Sequence, residues 1–272
     1  MMKNPVRSTV LFSALACAVS LGAQTTNPSA QTPTSGAQAA DTTTPTADEI
    51  VQKYIAAIGG KDAISKVKSI SMESSAQIMG AEAPGTMVIL DGVGYRSDTD
   101  FNGTKIVSCY TDKGGWSVNP MAGSSDPTPM PDDQYKMGKA QINIGGGLYD
   151  YAAKGSKVEL LGKDDKTYKI KLITKDNVES EYVIDSTTNL VKTMVTKGKM
   201  QDQDVDITTT FSDYRKTDTG YLLPYAMDVD LGGQFQFNIT IKKVELNKTI
   251  DPGVFEMPKP AATPAAPVSK PA

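Results

Sequence analysis

The sequence predicts a mainly β protein of the α+β class: an antiparallel sheet led in by short helices. Three observations predict it. From Asp204 to Leu246 ("DVDITTTFSDYRKTDTGYLLPYAMDVDLGGQFQFNITIKKVEL") apolar and polar residues alternate almost without a break, the period of a strand with one buried face. From Ser69 onward, shorter runs of the same kind are separated by turn residues at the spacing of an antiparallel meander. Ahead of them, near Thr46, the period is helical instead.

The helical start is Thr46-Ala47-Asp48-Glu49, a capping box with Thr46 as N-cap and Glu49 three residues on. Ile50, Tyr54 and Ile58 then recur every fourth residue, and Gly59-Gly60 ends the helix. "KDAISKV" predicts a short second helix. In the first strand, Ile70, Met72, Ser74, Ala76 and Ile78 share one parity. "GTMVIL" runs to the turn Asp91-Gly92, and Asn102-Gly103 is a strong hairpin signal before "TKIVSCY". "WSVNP", "KVELLG", "TYKIKLIT", "SEYVIDS" and "LVKTMVT" read as further strands. One Pro/Gly-rich interruption, Pro120 to Leu148, reads as a long connection with a brief helix, in which Met137, Ala140 and Ile144 fall near one face. It either covers an open side of the sheet or forms a mobile lid.

The ends read differently. Lys3 and Arg7 precede the uncharged run "STVLFSALACAVSLGA", which closes on small residues before Gln24. That is the order of a secretory signal peptide, residues 1–23, cleaved after Ala23. The alternative is a lipobox at "ALAC" with Cys17 as the lipidated anchor, although Ala14 stands where that pattern prefers Leu. Cleavage after Ala23 removes two basic residues and no acid, leaving 26 against 31 and moving the formal charge from -3 to -5. A mildly acidic chain excludes a basic nucleic-acid footprint. Residues 24–45, rich in Thr, Pro, Ala and Gln, read as a flexible linker. Residues 259–272 read as a Pro/Ala-rich disordered tail. One domain, 46–258, remains between them.

Histidine is absent, which excludes Ser-His-Asp and Cys-His nucleophiles and imidazole metal sites. Cys109, the single cysteine after cleavage, reads as a small hydrophobe packed within its strand. No phosphate-cradling glycine motif appears. Asp202, Asp204 and Asp206 alternate, but Ile207 and Asp213 occupy the positions where a calcium loop needs Gly and Glu. They read as a solvated strand side, as do Asp98 with Asp100 and Asp228 with Asp230. Arg96, Arg215 and Lys216 read as rim or hairpin charges.

Taken in order, these pieces resemble the outer-membrane lipoprotein-sorting (LolA-like) family of periplasmic carriers. The resemblance rests on "YTDKGGWSVNP" (Tyr110 to Pro120), "YVIDSTTNLVKTMV" (Tyr182 to Val195) and the closing "IDPGVFEMP" (Ile250 to Pro258). It implies a curled antiparallel sheet forming an incomplete β-barrel, with helices covering the concave side. It implies no cofactor and no catalysis. It further implies a monomeric periplasmic or secreted carrier that binds lipid or lipoprotein acyl chains, with envelope membrane proteins as partners that load or receive cargo. A non-enzymatic envelope scaffold of the same fold is the alternative function. One departure bears on lipoprotein transfer: the family's carriers have an arginine in the turn after an early strand. Here Asp91-Gly92 occupies that turn and Arg96 comes a few residues late.

In such a sheet one strand parity faces a cavity. The candidate lining residues are Met87, Ile89, Ile106, Trp116, Phe211, Met227, Phe235 and Phe237. At Met87 and Ile89 the parity is open, because Val88 and Leu90 are equally apolar.

Overall fold

The computed structural model describes residues 44–200 and 203–259. The expected signal peptide, the Cys17 alternative, the linker up to residue 43, Asp202 and the tail from residue 260 lie outside the described residues.

Helix α1 (Ala47–Ala57) begins at the capping box. Thr46 Oγ1 accepts from the Glu49 N–H at 3.2 Å, and Glu49 Oε2 accepts from the Thr46 N–H at 2.8 Å, so two end donors are satisfied reciprocally. The buried stripe is wider than one residue in four: Ala47, Ile50, Val51, Ile55 and Ile58 are buried, and Tyr54 is half-buried. Gly59 has φ 115°, and a Cβ there would lie 2.5 Å from the Gly220 carbonyl oxygen. The close approach and the left-handed backbone both require glycine. Helix α2 (Gly60–Ser65) follows at once.

Thirteen strands among the described residues form one antiparallel sheet. They are β1 (Ser69–Ile78), β2 (Ala81–Leu90), β3 (Gly94–Phe101), β4 (Thr104–Thr111), β5 (Gly115–Asn119) and β6 (Ser124–Pro129), then β7 (Lys157–Lys163), β8 (Thr167–Ile173) and β9 (Glu179–Asp185), and finally β10 (Val191–Met200), β11 (Gln203–Lys216), β12 (Leu222–Leu231) and β13 (Phe235–Leu246). The spatial order is β6-β5-β4-β3-β2-β1-β13-β12-β11-β10-β9-β8-β7. Every neighbouring pair is a sequential hairpin except β1 with β13, where Ile70 faces Leu246 and Ile78 faces Phe237. The hairpin at Asn102-Gly103 has positive φ at both residues, 54° and 79°, as its sequence predicts.

The sheet curls. Met87 on β2 and Leu172 on β8 line one cavity, although seven strand-to-strand steps separate them. A flat sheet at ~4.8 Å per step would hold them ~34 Å apart. The sheet stays open, because β6 and β7 are its two edges. The chain from β6 to β7, residues 130–156, joins those edges, and it does so across the concave side. Met130, Ile142, Ile144, Leu148 and Tyr151 are buried there. The principal core lies beneath this crossing and the two helices, where Ile50, Ile55, Ile64, Ile170, Leu172, Tyr182 and Ile184 meet.

The interruption expected from Pro120 to Leu148 therefore contains an edge strand, β6, paired to β5 through Trp116–Pro129 and Ser117–Thr128. Pro127 and Pro129 conceal it in the sequence; an edge strand tolerates them, since its outward N–H groups need no ladder partner. The helix expected to carry Met137, Ala140 and Ile144 is also shorter. Helix α3 (Asp132–Gly138) tightens into a 3-10 turn over Lys139–Ile142. Gly138 lies against the ring of Tyr110, where a Cβ would fall 2.2 Å from the ring carbons.

Candidate functional site

Between the sheet and the crossing segment lies a cavity of about 690 Å³. Its walls alternate as the strands do. Met194 and Thr196 of β10 contribute, with Thr209 and Phe211 of β11, Met227 and Val229 of β12, and Ile239 of β13. The register aligns them in rows: Met194 faces Thr209, Thr209 faces Val229, Phe211 faces Met227 and Met227 faces Ile239. Direct partners in an antiparallel pair share a face. Asp213, with φ 51°, interrupts the alternation of β11, and both Phe211 and Tyr214 reach the cavity.

One end of the wall is tyrosine-rich, with Tyr54 of α1, Tyr182 of β9, Tyr214 and Tyr221. Burial pushes the Tyr182 and Tyr221 hydroxyls up to about 12 and raises Tyr54 well above the usual phenol range. The crossing segment roofs the cavity through Met137, Ala140, Ile142 and the glycines 145–147. Its hold on the sheet is polar as well as apolar. The Gly92 N–H donates to Ile142 O at 2.9 Å, the Ile144 N–H donates to Asp91 Oδ1 at 2.9 Å, and Tyr135 Oη donates to Thr111 O at 2.9 Å. The turn Asp91-Gly92 thus clamps the roof.

The eight candidates separate into four groups. Met87, Phe211 and Met227 line the cavity. Ile89 has the same parity as Met87 and packs into the core beside it, while Val88 and Leu90 face the other way, against Phe255. Ile106, Phe235 and Phe237 share the concave face but lie nearer the hairpin turns. Ile106 reaches that face through Thr99 and Gly85, and Phe237 faces Val229. The Phe235 and Phe237 rings are half-buried, with centroids 5.8 Å apart.

Trp116 requires correction, because it lies on the convex face. It pairs with Cys109, which pairs with Arg96, which pairs with Val88. There Trp116 Nε1 and Cys109 Sγ both donate to Phe255 O, at 2.9 and 3.3 Å. Cys109 is fully buried, and burial pushes its thiol up to about 12, as its packing role requires. Arg96 belongs to the same convex cluster, where it donates to both Asp98 oxygens and to Val254 O and lies over the Trp116 ring. It is no rim charge, and Asp98 is half-buried rather than solvated. Arg96 therefore does not stand in for the arginine missing from the Asp91-Gly92 turn.

Sequence reasoning put Tyr54 on the apolar face of α1 without linking it to the cavity, and missed Tyr182, Tyr214 and Tyr221. The alternation of "SEYVIDS" carried a signal for Tyr182, since it shares parity with buried Ile184. It also missed the lysines on the rim: Lys136, Lys139, Lys154 and Lys175. Among the described residues, no three of the Cys, Asp and Glu side chains are grouped to hold a metal ion.

No protein-family model matches this sequence, and no curated protein matches it either. Solved structures do. A domain from Vibrio parahaemolyticus assigned to outer membrane lipoprotein sorting matches with TM-score 0.51 at 13% identity, over 77% of this chain and 95% of that one. A LolA superfamily protein from Nitrosomonas europaea matches with TM-score 0.52 at 11% identity, over 78% and 98%. This chain has the LolA fold. That fold is the open, curled sheet that the family resemblance implied, with the cavity on its concave side.

Proposed function

We propose that the protein is a non-enzymatic carrier that binds acyl chains of lipids or lipoproteins in this cavity, in the periplasm, after cleavage following Ala23. The cavity itself carries the reading. Its size is that of ligand sites generally, and its lining is predominantly apolar, with threonine and tyrosine hydroxyls in the walls and lysines at the rim. Met87, Met137, Met194 and Met227 give it soft, adaptable walls, which suits flexible chains. Each methylene a cargo buries gains about 0.8 kcal/mol, so part of one chain confers useful affinity.

Displacement of a fluorescent fatty-acid probe tests the reading. The native protein is expected to bind the probe. Thr209→Trp, which fills the cavity from its wall, is expected to weaken binding by at least about tenfold, or 1.4 kcal/mol. Phe237→Asp, beyond the lining, is expected to change it less. A folded native protein that binds no probe overturns the carrier reading; a folded Thr209→Trp variant that binds normally overturns the location. Export is checked separately by intact mass. A mature chain starting at Gln24 is expected, and one starting at an acylated Cys17 replaces soluble release with anchoring.

A further inference from the structure

The rim of the cavity is rich in lysine. Lys136, Lys139, Lys154 and Lys175 border it against a single carboxylate, Asp176. The chain as a whole has more acids than bases, so the reversal is local. The lysines come from three separate segments brought together by the fold. Gly155 lies against Lys175, with its Cβ position 3.6 Å from the Lys175 Cβ, and Lys139 Nζ approaches Asp176 at 3.9 Å.

Their partners matter more than their number. On the open strands, lysines sit in close ion pairs: Lys169 with Glu181 at 2.5 Å, Lys171 with Glu179 at 2.9 Å and Lys197 with Asp206 at 2.9 Å. On the rim, only Lys136 has such a partner, Asp132 at 2.6 Å. Among the described residues Lys175 makes no ion pair, and Lys139 is at the outer limit of pairing. The half-buried Lys154 ammonium is held on two neutral acceptors, Tyr149 O at 2.7 Å and Gly146 O at 3.2 Å. Burial lowers its proton affinity, and the carboxylates of Asp150 and Asp91 offset this only from a distance. A partly desolvated cation without a contacting anion gains from acquiring one.

We propose that Lys139, Lys154 and Lys175 hold the anionic head, carboxylate or phosphate, of an amphiphile whose acyl chain occupies the cavity. The proposal rests on the acyl-chain reading above and adds the class of head group. The walls bury the chain without regard to its head, and the three ammonium groups select the head by charge.

The test uses the full mature chain and competitors that share one 18-carbon monounsaturated chain, each kept below the concentration at which it aggregates. They are oleate, lysophosphatidate, oleyl alcohol and zwitterionic lysophosphatidylcholine, all displacing the same neutral fluorescent probe. Oleate or lysophosphatidate is expected to bind about tenfold tighter than oleyl alcohol, a preference that shrinks as salt is added. The tighter of the two names the head. Because Lys154 also ties the Tyr149 and Gly146 carbonyls, Lys175→Gln serves as the variant without that structural role. It is expected to reduce the anionic preference several-fold and leave oleyl alcohol unchanged. Equal displacement by oleyl alcohol and both anions overturns the proposal and leaves the acyl-chain reading standing. A preference unaltered in both Lys154→Gln and Lys175→Gln overturns the assignment to these lysines. Displacement by none of the four removes the acyl-chain reading and this proposal with it.

Discussion

Gly94→Ala is expected to be among the most destabilising single-methyl additions this chain can receive. The backbone of Gly94 in β3 would accept alanine, but the space would not: the added Cβ falls 2.5 to 2.7 Å from three ring carbons of Phe255. That ring cannot retreat freely. The short 3-10 turn Pro252–Phe255 is pinned to the convex face by Trp116 and Cys109, which donate to Phe255 O, and by Arg96, which donates to Val254 O. Overpacking of this kind costs about 1–3 kcal/mol. If the turn lifts instead, the loss resembles that of Phe255→Ala, about 3–5 kcal/mol. It also leaves Trp116 Nε1 without its acceptor, a further ~1–3 kcal/mol. We expect both variants to lower the melting temperature by about 5–15 °C, from the ~2–4 °C per kcal/mol typical of a domain this size. The double variant is decisive. With Phe255 already alanine, Gly94→Ala meets no ring and should cost under ~1 kcal/mol. Additive costs would show that the contact is not the cause.

The second large effect is an alkaline one. Burial is the leading cause that pushes the hydroxyls of Tyr95, Tyr182 and Tyr221 up to about 12, and it raises Tyr54 and Tyr214 as well. The folded state thus retains protons that the unfolded chain releases near pH 10. The stability these tyrosines contribute is complete below pH 10 and is lost as pH rises from 10 towards 12. Each group lowers it by about 1.4 kcal/mol per pH unit over that window, and three together by about 4 kcal/mol per unit. Two units remove about 8 kcal/mol, within the ~5–15 kcal/mol of a typical domain stability. Circular dichroism and tyrosinate absorbance, followed together, should show the fold intact up to pH 10. Above it, cooperative unfolding should coincide with a steep rise in tyrosinate. Tyr182→Phe removes one contributor and should move the transition to higher pH. All 11 tyrosines titrating near pH 10 in an intact fold would contradict the burial described for them.

Much of the sheet was legible because its signals are local. The alternation in β11 to β13 follows from the pleat, the Asn102-Gly103 turn from backbone handedness, and the capping box from the unpaired donors of a helix start. What was hidden depends on which face is which. A period of two shows that Trp116 and Val118 share a face, but not that this face is convex; that follows from the register of Cys109 with Trp116 and from the return of Phe255 some 140 residues later. Strand β6 was hidden by prolines that matter only in an interior strand. The end of α3 at Gly138 depends on the Tyr110 ring, which no neighbour in sequence reveals. Of the site, Met87, Phe211 and Met227 could be reached through parity and bulk. Tyr54, Lys139, Lys154 and Lys175 lie on different segments, and their meeting exists only after the sheet has curled.

The one non-sequential strand pair has a consequence for biogenesis. β1 ends at Ile78 and β13 begins at Phe235, so the first strand of the sheet waits for the last. A chain emerging N-terminus first at ~5–20 residues per second leaves β1 with one naked edge for roughly 10–30 s. During that interval, "SISMESSAQI" offers unpaired backbone groups to any extended segment nearby. Its serines, Glu73 and Gln77 keep that edge hydrophilic while it waits, and Lys243 of the late partner stands opposite Glu73 when the two strands finally meet. Nascent chains arrested before residue 235 should therefore be held as an open intermediate, able to accept a synthetic β13 peptide in trans.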